Sequence, residues 1–268
     1  MTDQYAVIGN PVSHSKSPLI HQAFAEQTQQ DISYGAIEAP LDGFKETIQR
    51  LVREGYKGCN VTVPFKFEAY QLCNQLTGRA RAAQAVNTLL FRDGEILGDN
   101  TDGAGLLADI EQNLGRKLLF RKVLLMGAGG AAHGVIWQLF NAGASITVAN
   151  RNLDKAQKMV AEFAPYGTVS ACSYEALAGK QFDVVVNATS SSLSDTLPPL
   201  PPGLFAPNAL AYDMMYGRQT PFLIFAAQQG ATQLADGLGM LVEQAAEAFF
   251  KWREVRPDTA PVLARLRA

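Results

Sequence analysis

The chain has 268 residues, 47% of them hydrophobic, with a formal net charge of −2. That length exceeds what one core needs and predicts two domains. Basic residues form no stripe and no apolar run approaches bilayer length, so nucleic acid and membrane are both excluded as expected partners.

Taken in order, short β-branched runs alternate with longer amphipathic stretches. The opening, MTDQYAVIGNPV, lacks the charged segment and long apolar run of a secretory leader. Residues 5–8 read as a strand, 18–30 as a helix, 32–39 as a strand and 44–54 as a helix. GCNVTV is a strand and residues 68–72 a short helix. Residues 85–91 and EILGDN, separated by RDG, read as a hairpin. A helix is expected over 101–114.

KVLLMGAGGAAHGVIWQLF is then strand, glycine turn and helix, followed by a strand in SITVANR and a helix over 153–163. FDVVVNATS and ALAYDMMYG are strands ending in polar residues, with a helix over 221–229. PPLPP reads as a proline-stiffened loop in preference to a polyproline ligand. The last helix, 240–253, puts Leu241, Ala245, Ala248, Phe249 and Trp252 on one face, Glu243, Glu247 and Lys251 on another, and Gln244 at the seam.

The predicted fold class is α/β with two domains. Residues 1–102 form a substrate domain with a mixed sheet, and 103–237 a Rossmann-like, doubly wound domain. Residues 238–268 are helices that return to the first domain. Cys59, Cys73 and Cys172 are odd in number and in no CxxC pair, which fits a reducing cytoplasm and argues against disulfides or zinc. His14, His21 and His133 have no ligand spacing and read as surface or capping residues; no metal is expected.

Strand, GAGGAA and helix form a variant of the dinucleotide fingerprint, with Gly127, Gly129 and Ala132 in the three key places. Gly127 permits a tight turn, Gly129 a close approach to pyrophosphate, and Ala132 close helix packing. The next strand ends in Asn150–Arg151 with Lys155 beyond, where an NAD site usually carries an acidic residue. A carboxylate would repel a 2′-phosphate and an arginine fork would bind it, so NADP is predicted over NAD. The plainer reading makes Arg151 and Lys155 solvated cations.

Three polar clusters end elements of the first block. SHSKSP puts Ser15 and Ser17 before Pro18 at a helix start, which suits a carboxylate; simple capping explains one serine but not both. NVTVPFK brings Thr62 and Lys66, and AVNT with GDNTDG brings Asn87, Asn100 and Asp102. Asp102 also reads as a helix cap, although Asn100 is the more natural one. Lys66 and Asp102 are the candidate catalytic pair, because a ketone accepting hydride develops alkoxide charge and needs a proton donor. A neighbouring carboxylate favours the charged form of a lysine and fixes its position. The plainer reading is a structural ion pair.

NPVSHSKSP, NVTVPFK, AVNT, GDNTDG, GAGGAA, NR, NATS, DMMYG and GLGMLVEQAAEAF, in this order and spacing, resemble the shikimate dehydrogenase family over nearly the whole chain. The resemblance implies reversible reduction of 3-dehydroshikimate to shikimate with NADPH, in aromatic amino acid biosynthesis. It implies that Ser15, Ser17 and Tyr216 hold the substrate carboxylate, and that Thr62, Asn87, Asp102 and Gln244 hold ring hydroxyls. Lys66 would be the proton donor in reduction. Gly127, Ala128, Gly129, Gly130, Ala131, Asn150, Arg151, Asn152 and Lys155 would bind NADP, with Thr189, Met214, Gly237 and Met240 near its nicotinamide. Two positions depart from the family's habit. Asn152 stands where Thr or Ser often follows the NR pair, and Gly78 where an acidic residue is frequent. The alternatives are a quinate/shikimate paralogue, a dehydrogenase of another carbocyclic acid, or a non-catalytic NADP-binding sensor. The expected assembly is a monomer or homodimer.

Overall fold

The computed structural model describes residues 2–191 and 195–268. The chain divides into two units, one running up to Gly105 and resuming over Leu241–Ala268, the other Leu106–Met240.

The first unit contains β1 (Asp3–Gly9), α1 (Ser17–Thr28), β2 (Ile32–Glu38), α2 (Phe44–Arg53), β3 (Gly58–Val61), α3 (Lys66–Leu72), β4 (Gln75–Leu76), α4 (Gly78–Ala83), β5 (Thr88–Arg92) and β6 (Glu95–Asp99). Its sheet has the order β2-β1-β3-β5-β6-β4 and is mixed: β1 runs parallel to β2 and β3, while β5 runs antiparallel to both β3 and β6. β1 is buried continuously from Tyr5 to Gly9, as a central strand covered on both faces must be. Alternate side chains serve the two faces. Ala6 and Ile8 meet Phe44, Ile48 and Leu51 of α2, spaced i, i+4, i+7. Tyr5 faces the other way. Between β5 and β6, Asp93 and Gly94 both have positive φ, 53° and 79°. That is the two-residue turn whose twist matches an antiparallel hairpin.

α5 (Asp102–Ala108) follows. The helix expected to continue to 114 instead widens into a π turn, Asp109–Asn113. There the buried Asp109 accepts from Asn113 Nδ2 at 2.9 Å and from the Tyr212 hydroxyl at 2.6 Å. The second unit continues with β7 (Lys122–Met126), α6 (Gly130–Asn141), β8 (Ser145–Ala149), α7 (Leu153–Phe163), β9 (Val169–Cys172), β10 (Phe182–Asn187), β11 (Phe205–Asp213), α8 (Pro221–Gln228) and β12 (Gln233–Ala235). Its sheet is all parallel, in the doubly wound order β12-β11-β10-β7-β8-β9.

α9 (Leu238–Arg253) and α10 (Ala260–Arg267) end the chain. Val242, Ala245 and Phe249 of α9 pack on Ile20 and Phe24 of α1, and Ala248 and Trp252 on Tyr5. Burial of Phe249 alone is worth about 1.5–3 kcal/mol, so the C-terminal helix is an integral part of the first unit's core. The short elements β4, α4, β9 and β12 were not expected from periodicity, and β11 begins earlier than expected, at Phe205. No helix of the described residues is long and apolar enough to cross a membrane.

Candidate active site

In the first unit the NVTVPFK stretch does not carry Lys66 at the end of a strand, as the sequence suggests. β3 stops at Val61, and Lys66 is the first residue of α3, with Phe65 at the cap position. The positive end of a helix is a poor place for a cation. The offsetting charge is Asp102: Lys66 Nζ donates to Asp102 Oδ2 at 2.5 Å. The lysine side chain is 20% exposed and the carboxylate 8%. One face of the ammonium is thus held while it keeps an opening to solvent.

Asp102 is fixed from three directions. Asn87 Nδ2 donates to its Oδ1 at 2.8 Å, and its backbone N–H donates to Asn100 Oδ1 at 3.1 Å. The Asn100 side chain therefore takes up the first N–H of α5, and the Asp102 carboxylate is left for Lys66. Asn87, 2% exposed, is the hub. Its Oδ1 accepts from Thr101 N at 2.8 Å and Thr88 Oγ1 at 2.9 Å, and its Nδ2 reaches Gln244 Oε1 at 3.4 Å. Gln244 Nε2 donates to Leu241 O at 2.8 Å, which aims its Oε1 at Asn87 and Thr101.

Ser15 Oγ accepts from Ser17 N at 3.2 Å, while Lys16, at the cap position of α1, makes no side-chain cap bond. Capping therefore accounts for Ser15 and leaves the buried Ser17 hydroxyl unexplained by it. Thr62 is half-buried just past β3, its N–H donating to Ile8 O at 2.8 Å. Two partners were missed in the sequence. Tyr34 donates its hydroxyl to Asn60 Oδ1 at 2.7 Å, and Asn60 Nδ2 donates to Asn87 O and Thr88 Oγ1, both at 3.1 Å. The Asn in NVTVPFK was the one available signal.

His21 corrects the expectation of a surface or capping histidine. It is fully buried and stacks on Tyr34 with ring centroids 4.1 Å apart. Neither ring nitrogen has a hydrogen bond of good geometry. Burial lowers its pKa to about 3, only partly opposed by the nearby Asn60. Gly78 opens α4, where a side chain would meet open space, so its departure costs no packing.

In the second unit Gly127 follows β7 with φ +105°, and a Cβ there would sit 3.2 Å from Ala188 O, just past β10. The turn thus lies where the strand order reverses, the place where open parallel sheets bind ligands. Gly129 has open space over its Cα and no side chain caps α6, so the first N–H groups of that helix point outward unclaimed by a cap. Ala132 is fully buried at the helix–sheet contact. Ala128, Gly130 and Ala131 are half-buried around the turn.

Asn152 caps α7, its Oδ1 accepting from Lys155 N at 3.2 Å, and Asn150 Nδ2 donates to Asn152 O at 2.8 Å. This leaves the Asn152 amide N–H groups pointing away from the cap. Arg151 and Lys155 are exposed and form no salt bridge among the described residues. An open glycine cradle, an uncapped helix end and two unbridged cations fit a dinucleotide carrying an extra phosphate.

Thr189 Oγ1 donates to Asn187 Oδ1 at 2.7 Å, and Asn187 O accepts from Met214 N at 3.0 Å. Buried Asp213 accepts from Asn187 Nδ2 at 3.2 Å and Thr220 Oγ1 at 2.6 Å. Gly237 N donates to Met215 O at 2.9 Å, and Met240 N to the Tyr212 hydroxyl at 3.3 Å. Thr189, Met214, Gly237 and Met240 are thereby tied together near the carboxyl ends of β10 and β11. Tyr216 is half-buried in this unit, and burial raises its phenol pKa. Asn187, Asp213 and Thr220 were missed as supports, although NATS and DMMYG held two of them.

Three family models match the chain: "Shikimate dehydrogenase substrate binding domain" over residues 7–89, "Shikimate / quinate 5-dehydrogenase" over 109–194, and "Shikimate 5'-dehydrogenase C-terminal domain" over 237–267. The NADP(+) shikimate dehydrogenase of Methylobacillus flagellatus is 62% identical, over 99% of each chain. Among solved structures, an Ael1 enzyme from Pseudomonas putida is 50% identical with TM-score 0.94, covering 99% of this chain and 98% of that one. The shikimate 5-dehydrogenase of Thermus thermophilus, solved with NADP(H) and shikimate, is 32% identical with TM-score 0.89, covering 99% of each chain.

Proposed function

Because the chain belongs to the shikimate dehydrogenase family, we propose that Lys66 is its proton donor and acceptor in the reversible NADP-dependent interconversion of 3-dehydroshikimate and shikimate. The protein is an oxidoreductase acting on a CH–OH group, in the shikimate pathway of aromatic amino acid biosynthesis. The observation that carries the assignment of Lys66 is its 2.5 Å contact with Asp102. The ammonium is held by one carboxylate oxygen, while Asn87 occupies the other.

In the reductive direction Lys66 Nζ gives a proton to the oxygen that gains negative charge, and in oxidation it takes that proton back. Asp102 holds the ammonium in place. Asn87, Thr62 and Gln244 present amide and hydroxyl groups to ring hydroxyls, while Ser15, Ser17 and Tyr216 receive the carboxylate. Apart from Tyr216, the proposed substrate groups belong to the first unit, and the proposed cofactor groups belong to the second. NADPH, when bound, supplies the hydride. Gly127, Ala128, Gly129, Gly130 and Ala131 would hold its pyrophosphate. Asn150, Arg151, Asn152 and Lys155 would hold the 2′-phosphate end, and Thr189, Met214, Gly237 and Met240 the nicotinamide end. Free thiols at Cys59, Cys73 and Cys172 accord with a cytoplasmic site of action.

The test is a four-way assay of shikimate or quinate with NADP or NAD, read as reduced nicotinamide absorbance. Turnover confined to shikimate with NADP is expected. Comparable turnover on quinate would move the protein to a broader specificity, which the shikimate/quinate family model makes the nearest alternative. NADP binding without any turnover would overturn the role of Lys66.

A further inference from the structure

Behind the candidate site, Arg79 of α4 spans two elements that carry it. Arg79 Nε donates to Asp99 Oδ1 and Nη2 to Asp99 Oδ2, both at 2.7 Å. Its remaining terminal nitrogen, Nη1, donates to Glu247 Oε1 on α9 at 3.0 Å. Asp99 is 1% exposed and takes two more bonds on Oδ1, from Thr77 Oγ1 at 2.6 Å and Asn100 N at 2.8 Å. Burial would raise the Asp99 carboxyl pKa, but the Arg79 guanidinium outweighs it and holds the group below its ordinary value.

Most ion pairs at protein surfaces contribute little. This one is bidentate, and its carboxylate is enclosed, so loss of the fork leaves a buried charge with only Lys251 Nζ, 3.5 Å away, to offset it. Its position gives it a second consequence. From Asp99 the chain runs directly through Asn100, whose side chain accepts from Asp102 N, and Thr101, which bonds Asn87, to Asp102. From Glu247, one helical turn back along α9 stands Gln244. Gln244 meets Thr101 Oγ1 and Asn87 Nδ2 only at 3.4 Å, near the limit of a hydrogen bond. Contacts so long hold the two elements only weakly; the shorter Arg79 bonds, with Lys251 Nζ of α9 3.5 Å from Asp99 Oδ2 beside them, join them more firmly.

We propose that Arg79 is a positioning residue for substrate: its fork braces the Asp99–Asp102 loop against α9 and so sets the distance between Gln244 and the Asn87–Asp102 pair. This rests on the reading of Gln244 as a substrate hydroxyl ligand. Lysine would keep the cation and lose the fork, since it offers a point charge in place of a planar array of donors.

The test is a double-mutant cycle of Arg79→Lys and Gln244→Ala, with kcat and KM for shikimate, KM for NADP, and melting temperature measured for all four proteins. Arg79→Lys is expected to raise KM for shikimate roughly fivefold or more, leave KM for NADP unchanged, and add less than about twofold when Gln244 is already alanine. An equal factor in both backgrounds, or an unchanged KM for shikimate, would reduce Arg79 to a structural ion pair and overturn the proposal. An unchanged KM in Gln244→Ala alone would instead remove Gln244 from the site, and the proposal with it. Should Arg79→Lys fail to fold, Arg79→Met combined with Asp99→Asn removes both charges together and enters the same cycle, with the same two outcomes deciding.

Discussion

The backbone of Gly237 runs so close to Met214 that a Cβ on Gly237 would lie 2.1 Å from the Met214 carbonyl oxygen. The obstructing atom is main chain, not the tip of a flexible side chain, so the contact cannot be relieved by a rotamer change. Gly237→Ala should therefore displace one of the two segments, at a cost of about 1–3 kcal/mol. Melting followed without cofactor should fall by several degrees, and NADP affinity measured by titration should fall with it. An unchanged melting temperature would mean that the two segments separate freely.

Lys66→Ala should lower kcat by roughly 10²–10⁴-fold, the usual contribution of a positioned general acid. KM for shikimate should change little, because the lost interaction is made with charge that develops only in the transition state. Steady-state kinetics in both directions checks this. Parallel losses in binding and rate would instead mark Lys66 as a binding residue. Asp102→Asn should also lower kcat, since it removes the carboxylate that holds Lys66 Nζ at 2.5 Å.

Arg151 has no salt-bridge partner among the described residues, so its removal leaves no buried charge behind. Arg151→Ala should therefore raise KM for NADP by roughly 10-fold or more, the scale of a charge-assisted hydrogen bond. KM for NAD should stay nearly constant and the melting temperature of the protein alone should not move. The ratio of kcat/KM for the two cofactors reads the effect directly.

His21 makes the first unit sensitive to acid. Its folded pKa, lowered by burial to about 3, lies below the ordinary value near 6.5. Between these values the unfolded chain carries the proton and the folded chain does not. Its contribution is thus fully retained above about pH 6.5 and declines as pH falls toward the folded value. His21→Phe keeps a ring against Tyr34 and cannot titrate. Denaturant unfolding at about pH 7.5 and pH 5 should show wild type losing about 2 kcal/mol more than the variant over that interval. Equal losses in both proteins would show that His21 is protonated within the fold.

Much of the site was legible because its parts are local. The strand, glycine turn and helix around Gly127 follow from period-2 and period-3.6 patterning and from residues that only a tight turn requires. The hairpin at Asp93–Gly94 is equally local. Lys66 and Asp102 were identifiable as a pair from the charge each brings to an element end. Lys66 was nevertheless placed wrongly, because Pro64 hid the helix that begins two residues later. The supports of the site were less legible. Tyr34 and Asn60 lie 26 residues apart, and Asn87 and Gln244 157 apart.

By itself the sequence determined the alternation of strands and helices, the glycine turn after β7 and the chemical groups at the element ends, all properties of short windows. Only the tertiary structure decided which groups meet. It buried His21 against Tyr34, set Asp109 under the Tyr212 hydroxyl, and joined Arg79 to Glu247 across 168 residues. The physical reason is that periodicity records which face of an element is apolar. The partner of a polar group is chosen by sheet order and helix packing, which bring together residues that no local pattern relates.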